Sequence, residues 1–397
     1  MRSSPRPVPE VKVLDRKRAV AWGAVTGILL AVVLVRVTFL YEPYTFLIGD
    51  CPYYAQAAIS LLTDGDLDLR NQLKGGLEIH QRQISLGARG EWYPKHPVLM
   101  SLMTIPLLPL LGMNAFLVFN VIVLLALALV LYELAREAAG APGAAAGAVL
   151  TISGSFLILY DYNYSPDLFA CLLLSWSVLA GFRSRPAASG FLAGLAVFAR
   201  TSNLFLLPIL LGYVAWKSRL RGAAFFIAAV TVPLLCQAAL NQAMFGSPLM
   251  SPYQRIISLQ DGRVVLRSHV SDFDNPILEG IRGQLLDPGK GLLFTAPILL
   301  AAIPGFVIWF RRSPDKALLC FVIGEFLFLL FSRYRWWPTS HQGNRFLMPV
   351  LSLSAPAVAA SVEWGAVALG LLKPAPAAPV SASNSPAGRG LEGSSGP

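Results

Sequence analysis

Residues 19–40 read AVAWGAVTGILLAVVLVRVTFL, with Arg36 the sole charge, and follow a basic stretch that holds Arg2, Arg6, Lys12, Arg16, Lys17 and Arg18. A secretory signal core carries about 7–15 apolar residues and ends in a small-residue cleavage site. This run is longer, and Val37-Thr38-Phe39-Leu40-Tyr41 is a poor cleavage site. Its length suits a helix of about 20 residues that crosses a bilayer. It predicts an uncleaved first span with residues 1–18 as a basic cytoplasmic tail, and Arg36, one turn from the outer end, snorkelling to the interface.

The rest of the chain repeats the pattern. Of 397 residues, 55% are apolar and 14% charged, and the mean hydropathy is +0.58. Soluble domains carry about 45–50% apolar and about 25% charged residues. The charge deficit excludes an ordinary soluble enzyme, a coiled coil and a disordered chain. Further apolar runs lie near 97–112, 114–133, 142–160, 168–182, 187–199, 202–216, 222–243, 291–310, 316–332 and 345–372. The net charge of +10 fits the Lys and Arg excess of cytoplasmic loops, so no nucleic-acid partner is expected. Cys51, Cys171, Cys236 and Cys320 have no metal spacing.

Charge parity decides two ambiguous runs. Residues 97–112 hold Pro97, Pro106 and Pro109 and are short for a span. If they stay on one side, Arg183/Arg185, Lys217/Arg219/Arg221 and Arg311/Arg312/Lys316 all fall inside, as the positive-inside rule prefers. For the same reason 187–216 reads as a short hairpin with its apex near Arg200. The result is an all-α polytopic membrane bundle, residues 19–372, of about ten spans plus one re-entrant segment. Its large outer loops are 41–96 and 244–290. Residues 373–397, rich in Pro, Ala, Ser and Gly, predict a disordered cytoplasmic tail.

His80, His96, His269 and His341 all fall in outer segments, which places the functional face there. Asp50 precedes Cys51-Pro52-Tyr53-Tyr54-Ala55, which reads as a helix start. It is either a plain N-cap or a general base at the membrane surface. Asp64, Asp66 and Asp68 lack the Gly and closing Glu of a calcium loop and read as a solvated acidic turn. The turn Tyr160–Asp167 places Asp161 and Asp167 beside an apolar bundle, where carboxylates must be wet or paired. Residues 332–346, with Arg333, Arg335, His341 and Arg345 among Trp336 and Trp337, read as interface anchors or as a phosphate clamp. Glu325 lies in the middle of an apolar run, and Glu363 in another.

Several of these elements resemble the GT-C class of membrane glycosyltransferases. Asp50 followed by Tyr53-Tyr54 and small residues does so. Lys95-His96-Pro97, opening a broken apolar segment, looks like the Lys/His-Pro-Pro element of the protein O-mannosyltransferase and aminoarabinose-transferase branch, glycosyltransferase family 39. The order continues with Gly194–Arg200, Asn241–Leu249, Tyr253, Gly289–Pro297 and Gly343–Pro349. The sequence departs in Val98, where the branch has a second Pro, and in Cys51, where many members have a second acid. The resemblance implies an enzyme of a bacterial inner membrane with its active face outside. It would move sugar from a polyprenyl-phosphate donor to a lipid, glycan or protein acceptor. Asp50 would be the base, Lys95, Arg200 and Arg345 would bind the donor phosphate, and Tyr54, His96, Asp161, Asp167 and His341 would position substrate. A divalent metal at Asp161 or Asp167 is left open. The rival readings are a secondary transporter, centred on Glu325, and a non-catalytic scaffold.

Overall fold

In lipid every peptide group must find its partner within the protein, which favours helices for apolar runs. The computed structural model describes residues 16–42, 46–339 and 343–372; the expectations for residues 1–15, for His341 and for the tail from 373 lie outside these. The main helices are α1 (Arg16–Phe39), α2 (Cys51–Thr63), α3 (Leu99–Leu111), α4 (Asn114–Ala135), α5 (Ala141–Ser153), α6 (Pro166–Phe182), α7 (Pro186–Ala199), α8 (Leu207–Phe245), α9 (Ile277–Leu286), α10 (Ile298–Arg312), α11 (Pro314–Ser332) and α12 (Met348–Ala368).

By length and composition α1, α4, α8 and α12 can each cross a membrane. A fifth span forms if α5 and the 3-10 turn Phe156–Tyr162, bent by 67° from it, count as one. Shorter apolar helices, α3, α6 and α7, stand beside these. The 14 residues of α7 rise about 21 Å, less than the roughly 30 Å of a hydrocarbon core. The long run α8 is two helices joined at Arg219, whose φ of 56° is not helical. Gly190 of α7 faces the Phe226 carbonyl so closely that a Cβ would lie 2.3 Å from it. That contact sets the second half of α8 against α7, with the hairpin expected at Arg200 standing between α7 and the first half.

The segment 97–112 stays at one end. Thr104 Oγ1 lies 2.8 Å from the Tyr164 hydroxyl. After the turn at Gly112, Phe116 of α4 packs on the same Tyr164 ring at 4.7 Å. Helix α3 is broken by a 3-10 turn at Ile105–Leu107, where Pro106 falls. At this end the two large loops meet in one antiparallel sheet, order β2-β1-β3-β4. Strands β1 (Ile84–Leu86) and β2 (Trp92–Pro94) come from the first loop, β3 (Ile256–Gln260) and β4 (Arg263–Arg267) from the second. The sequence reading had no sheet: its strands are three to five residues long and pair across distant parts of the chain.

Ionic pairs occupy the other end. Glu133 accepts from Arg18 Nε (2.7 Å) and Trp22 Nε1 (2.9 Å) and pairs with Arg183. Lys316 meets Glu137 and Lys217 meets Asp315, each at 2.6 Å. Glu363 is buried and accepts the Gly140 N–H; it is a structural tie. Glu325 lies exposed on the outer face of α11 and makes no ion pair among the described residues.

Candidate active site

Asp50 stands at the joint between a left-handed Gly49 (φ 61°) and α2. It occupies the N-cap position but its side chain makes no capping hydrogen bond. The carboxylate turns instead to three donors. Oδ1 lies 3.4 Å from Lys95 Nζ, and Oδ2 lies 3.0 Å from Arg345 Nη2 and 3.5 Å from His96 Nε2. The Cys51 thiol donates to Asn163 Oδ1 at 3.1 Å and anchors this turn to the one that carries Asp167.

Each partner is placed by a local rule. Strand β2 ends at Pro94 and α3 begins at Leu99, so Lys95 and His96 sit at a strand-to-helix corner. Gly343 has φ 68°, and a Cβ there would lie 2.5 Å from the Phe156 ring. The Asn344 side chain then caps the next turn by accepting the Phe346 N–H (3.2 Å), which fixes Arg345 at the start of α12. Arg200 follows the last residue of α7 in an extended conformation and lies over the Phe346 ring at 4.6 Å. Asp167, in the first turn of α6 behind Pro166, pairs with Arg200 and has Oδ2 3.7 Å from Arg345 Nε. Tyr54 is buried; its carbonyl accepts from Ser101 Oγ (2.9 Å) and its ring packs 5.0 Å from His96.

These side chains line a cavity of about 850 Å³ whose wall includes Asp50, Tyr54, Lys95, His96, Asp167, Arg200 and Arg345. Seven of the residues proposed from the sequence are thus brought together. Asp161 is not. Its buried carboxylate accepts from Arg36 Nε (2.9 Å), and the Arg36 guanidinium also meets Tyr41. Arg36 therefore does not snorkel outward, because a buried anion within its reach is a stronger partner than interfacial water. The wall also holds Tyr253, His269, Asp272 and Tyr334, which sequence reasoning did not place in the site. The His269-to-Asp272 spacing was the signal that could have found two of them.

Burial opposes ionisation of Asp50, but the His96 hydrogen bond and the Lys95 and Arg345 charges outweigh it and hold the carboxyl well below its usual range. Burial pushes the His96 imidazole down to about 3. At neutral pH the His96 ring is therefore neutral, and the positive charge at Asp50 comes from Lys95 and Arg345. Nδ1 of His96 lies 2.9 Å from the Tyr253 hydroxyl, within hydrogen-bond distance.

The carboxylates of this wall already face cations or a histidine: Asp50 has Lys95 and Arg345, Asp167 has Arg200 and Arg345, and Asp272 has His269. Among the described residues no three His, Cys, Asp or Glu side chains converge. Asp161 is committed to Arg36.

A helical membrane bundle with a carboxylate and a cation cluster under a loop-built roof has the architecture of GT-C membrane glycosyltransferases. The fold matches ArnT from Cupriavidus metallidurans bound to undecaprenyl phosphate, with a TM-score of 0.57 and 16% identity over 88% of this chain and 63% of that one. It also matches the Archaeoglobus fulgidus oligosaccharyltransferase tethered with an acceptor peptide, with a TM-score of 0.57 and 14% identity over 88% of this chain and 50% of that one. The chain thus spans less than two thirds of ArnT and half of the oligosaccharyltransferase. No curated relative matches the sequence. Residues 95–333 match the model of glycosyltransferase family 87, and the chain belongs to that family. The GT-C class read from the sequence stands.

Proposed function

We propose that the chain moves a sugar from a polyprenyl-phosphate-linked donor to an acceptor hydroxyl on the outer face of a bacterial plasma membrane. The observation that carries this is the Asp50 carboxylate, turned away from its helix and set among Lys95, His96 and Arg345 in the large cavity. Two neighbours in fold support the donor class: the ArnT structure holds undecaprenyl phosphate, and the Archaeoglobus oligosaccharyltransferase AglB is in complex with a dolichol-phosphate.

The residues supply the parts of the reaction. The acceptor hydroxyl attacks the anomeric carbon and its proton passes to Asp50, while the bond from that carbon to the phosphate oxygen breaks. The phosphate leaves with the electron pair, and Lys95, Arg200 and Arg345 neutralise it. On the cavity wall Arg82, Lys95, Arg200, Arg267, Arg333 and Arg345 outnumber Asp50, Asp167 and Asp272, which leaves room for an anion. An arriving phosphate competes with Asp50 for Lys95 and Arg345, which releases the carboxylate and raises its proton affinity. Leu204, Phe205, Phe273, Leu330 and Phe331 give the cavity an apolar side for the lipid chain. The outer orientation is supported by Arg183, Lys217 and Lys316, which lie at the opposite end, where the positive-inside rule puts cytoplasmic charge. The transporter alternative needs an ionisable group inside the bundle, and Glu325 is on its outer face.

The test is turnover of a radiolabelled polyprenyl-phosphate sugar by purified protein in liposomes. Sugar transfer by the wild type and its loss in a folded Asp50→Asn variant are expected. Equal turnover by the two would overturn the reading.

A further inference from the structure

The cavity contains a second group able to receive a hydroxyl. Strand β4 ends at Arg267, and Ser268 caps a 3-10 turn that holds His269 and Asp272. His269 Nδ1 lies 2.6 Å from Asp272 Oδ2. A histidine and an acid three residues apart on an exposed turn would be a surface pair of little consequence. Here Asp272 is only 6% exposed, and both residues line the cavity that Asp50 lines. The carboxylate can only accept, so Nδ1 carries the hydrogen. Burial lowers the proton affinity of His269 against the pull of Asp272, so the ring is neutral near pH 7. Its Nε2 is then a lone pair that calls for an O–H donor.

Two side chains separate this nitrogen's ring from Asp50. His96 lies 3.5 Å from the carboxylate and 2.9 Å from the Tyr253 hydroxyl, and the Tyr253 ring is 5.4 Å from the His269 ring, edge to face. An acceptor with a single hydroxyl can serve Asp50 or His269, not both. With that hydroxyl at Asp50, His269 Nε2 would be desolvated and left without a donor when the cavity fills.

We propose that the His269–Asp272 pair is a second hydrogen-bonding subsite for the acceptor, and that the acceptor is a polyhydroxylated molecule, a sugar or polyol, with one hydroxyl at Asp50 and another at His269. This rests on the sugar-transfer reading above. His269 positions the acceptor, and Asp272 fixes its tautomer. The aromatic faces of Tyr253 and Tyr334 beside it suit the C–H face of a sugar ring.

The experiment uses the full chain in liposomes, a polyprenyl-phosphate sugar donor, and as acceptors an alkyl hexoside, its monodeoxy analogues and the plain alkanol. For the wild type, one deoxy analogue should show KM raised about 10-fold with kcat nearly unchanged, the size of one lost hydrogen bond. His269→Ala should show the same rise with the parent hexoside and no further penalty for that analogue. His269→Gln, which keeps an acceptor oxygen, should recover part of the loss and serves if the alanine variant fails to fold. Full discrimination by His269→Ala overturns the proposal, as do a fall in kcat instead of a rise in KM and an alkanol used as well as the hexoside. Failure of the parent reading looks different: the wild type would then move sugar to no acceptor, water included.

Discussion

Both ends of the bundle hold acids clasped by cations, yet they differ in what surrounds them. At the loop-poor end Glu133 takes Arg18, Trp22 and Arg183 at once, and Glu137 and Asp315 each take a lysine. Each acid there is matched by cations from neighbouring elements. At the roofed end Asp50 and Asp167 share Lys95, Arg200 and Arg345, a cation remains in excess, and a cavity of about 850 Å³ opens beside them. Ion pairing alone thus does not mark a site. Unbalanced charge beside empty volume does.

The contrast breaks or holds on measurement. The largest effect is expected at Asp50. Asp50→Asn keeps the shape and can still cap a helix, but it cannot take a proton at neutral pH. Turnover should fall about 10²-fold or more with insertion and thermal stability unchanged. Near-normal turnover by the folded variant would return Asp50 to the status of a structural pair. Next comes Arg345, which faces both acids of the site. Arg345→Ala removes a charged hydrogen bond worth roughly 1.5–3 kcal/mol, so donor affinity should drop about 10- to 150-fold. Arg345→Lys should restore it only in part, lacking the planar fork. Unchanged donor binding to Arg345→Ala would take this residue out of the phosphate site.

Glu133→Gln is the matching change at the loop-poor end. Arg18 is 40% exposed in its side chain, so screening limits the loss to about 1–2 kcal/mol of stability. Thermal unfolding should show it, while turnover at a permissive temperature stays within about twofold; a catalytic defect in the stable fraction would erase the distinction between the ends. The smallest effect is in pH. A depressed carboxyl contributes stability above its unfolded value of about 3.9, and loses it as pH falls through the lower folded value. Asp50 should therefore give no acid limb in kcat/KM between pH 5 and 8. A limb in that window that moves in Asp50→Glu would contradict the charge environment described.

The sequence carried much of this, and unevenly. Residues 19–40 and the short basic loops were enough for a helical bundle, because apolar length and charge parity are local properties. Asp50, Lys95, His96, Arg200 and Arg345 were legible as chemistry-bearing residues at loop corners. Asp161 was misplaced because nothing local shows that Arg36, 125 residues away, turns inward to it. The sheet was invisible for a like reason, since β1 and β3 make each other's edges only after folding. His269 and Asp272 were hidden because a turn reads the same whether it faces water or a cavity.

Asp50 and Arg345 are 295 residues apart, and this has a consequence for biogenesis. At about 5–20 residues per second, roughly 15–60 s of synthesis separate them. Through most of that interval the newborn carboxylate has Lys95 and His96 as neighbours and lacks the guanidinium that completes its shell. A ribosome stalled before α12 would leave a membrane-embedded polypeptide with its acid in place and one of its two counter-ions unmade, a species a quality-control protease could distinguish from the finished molecule.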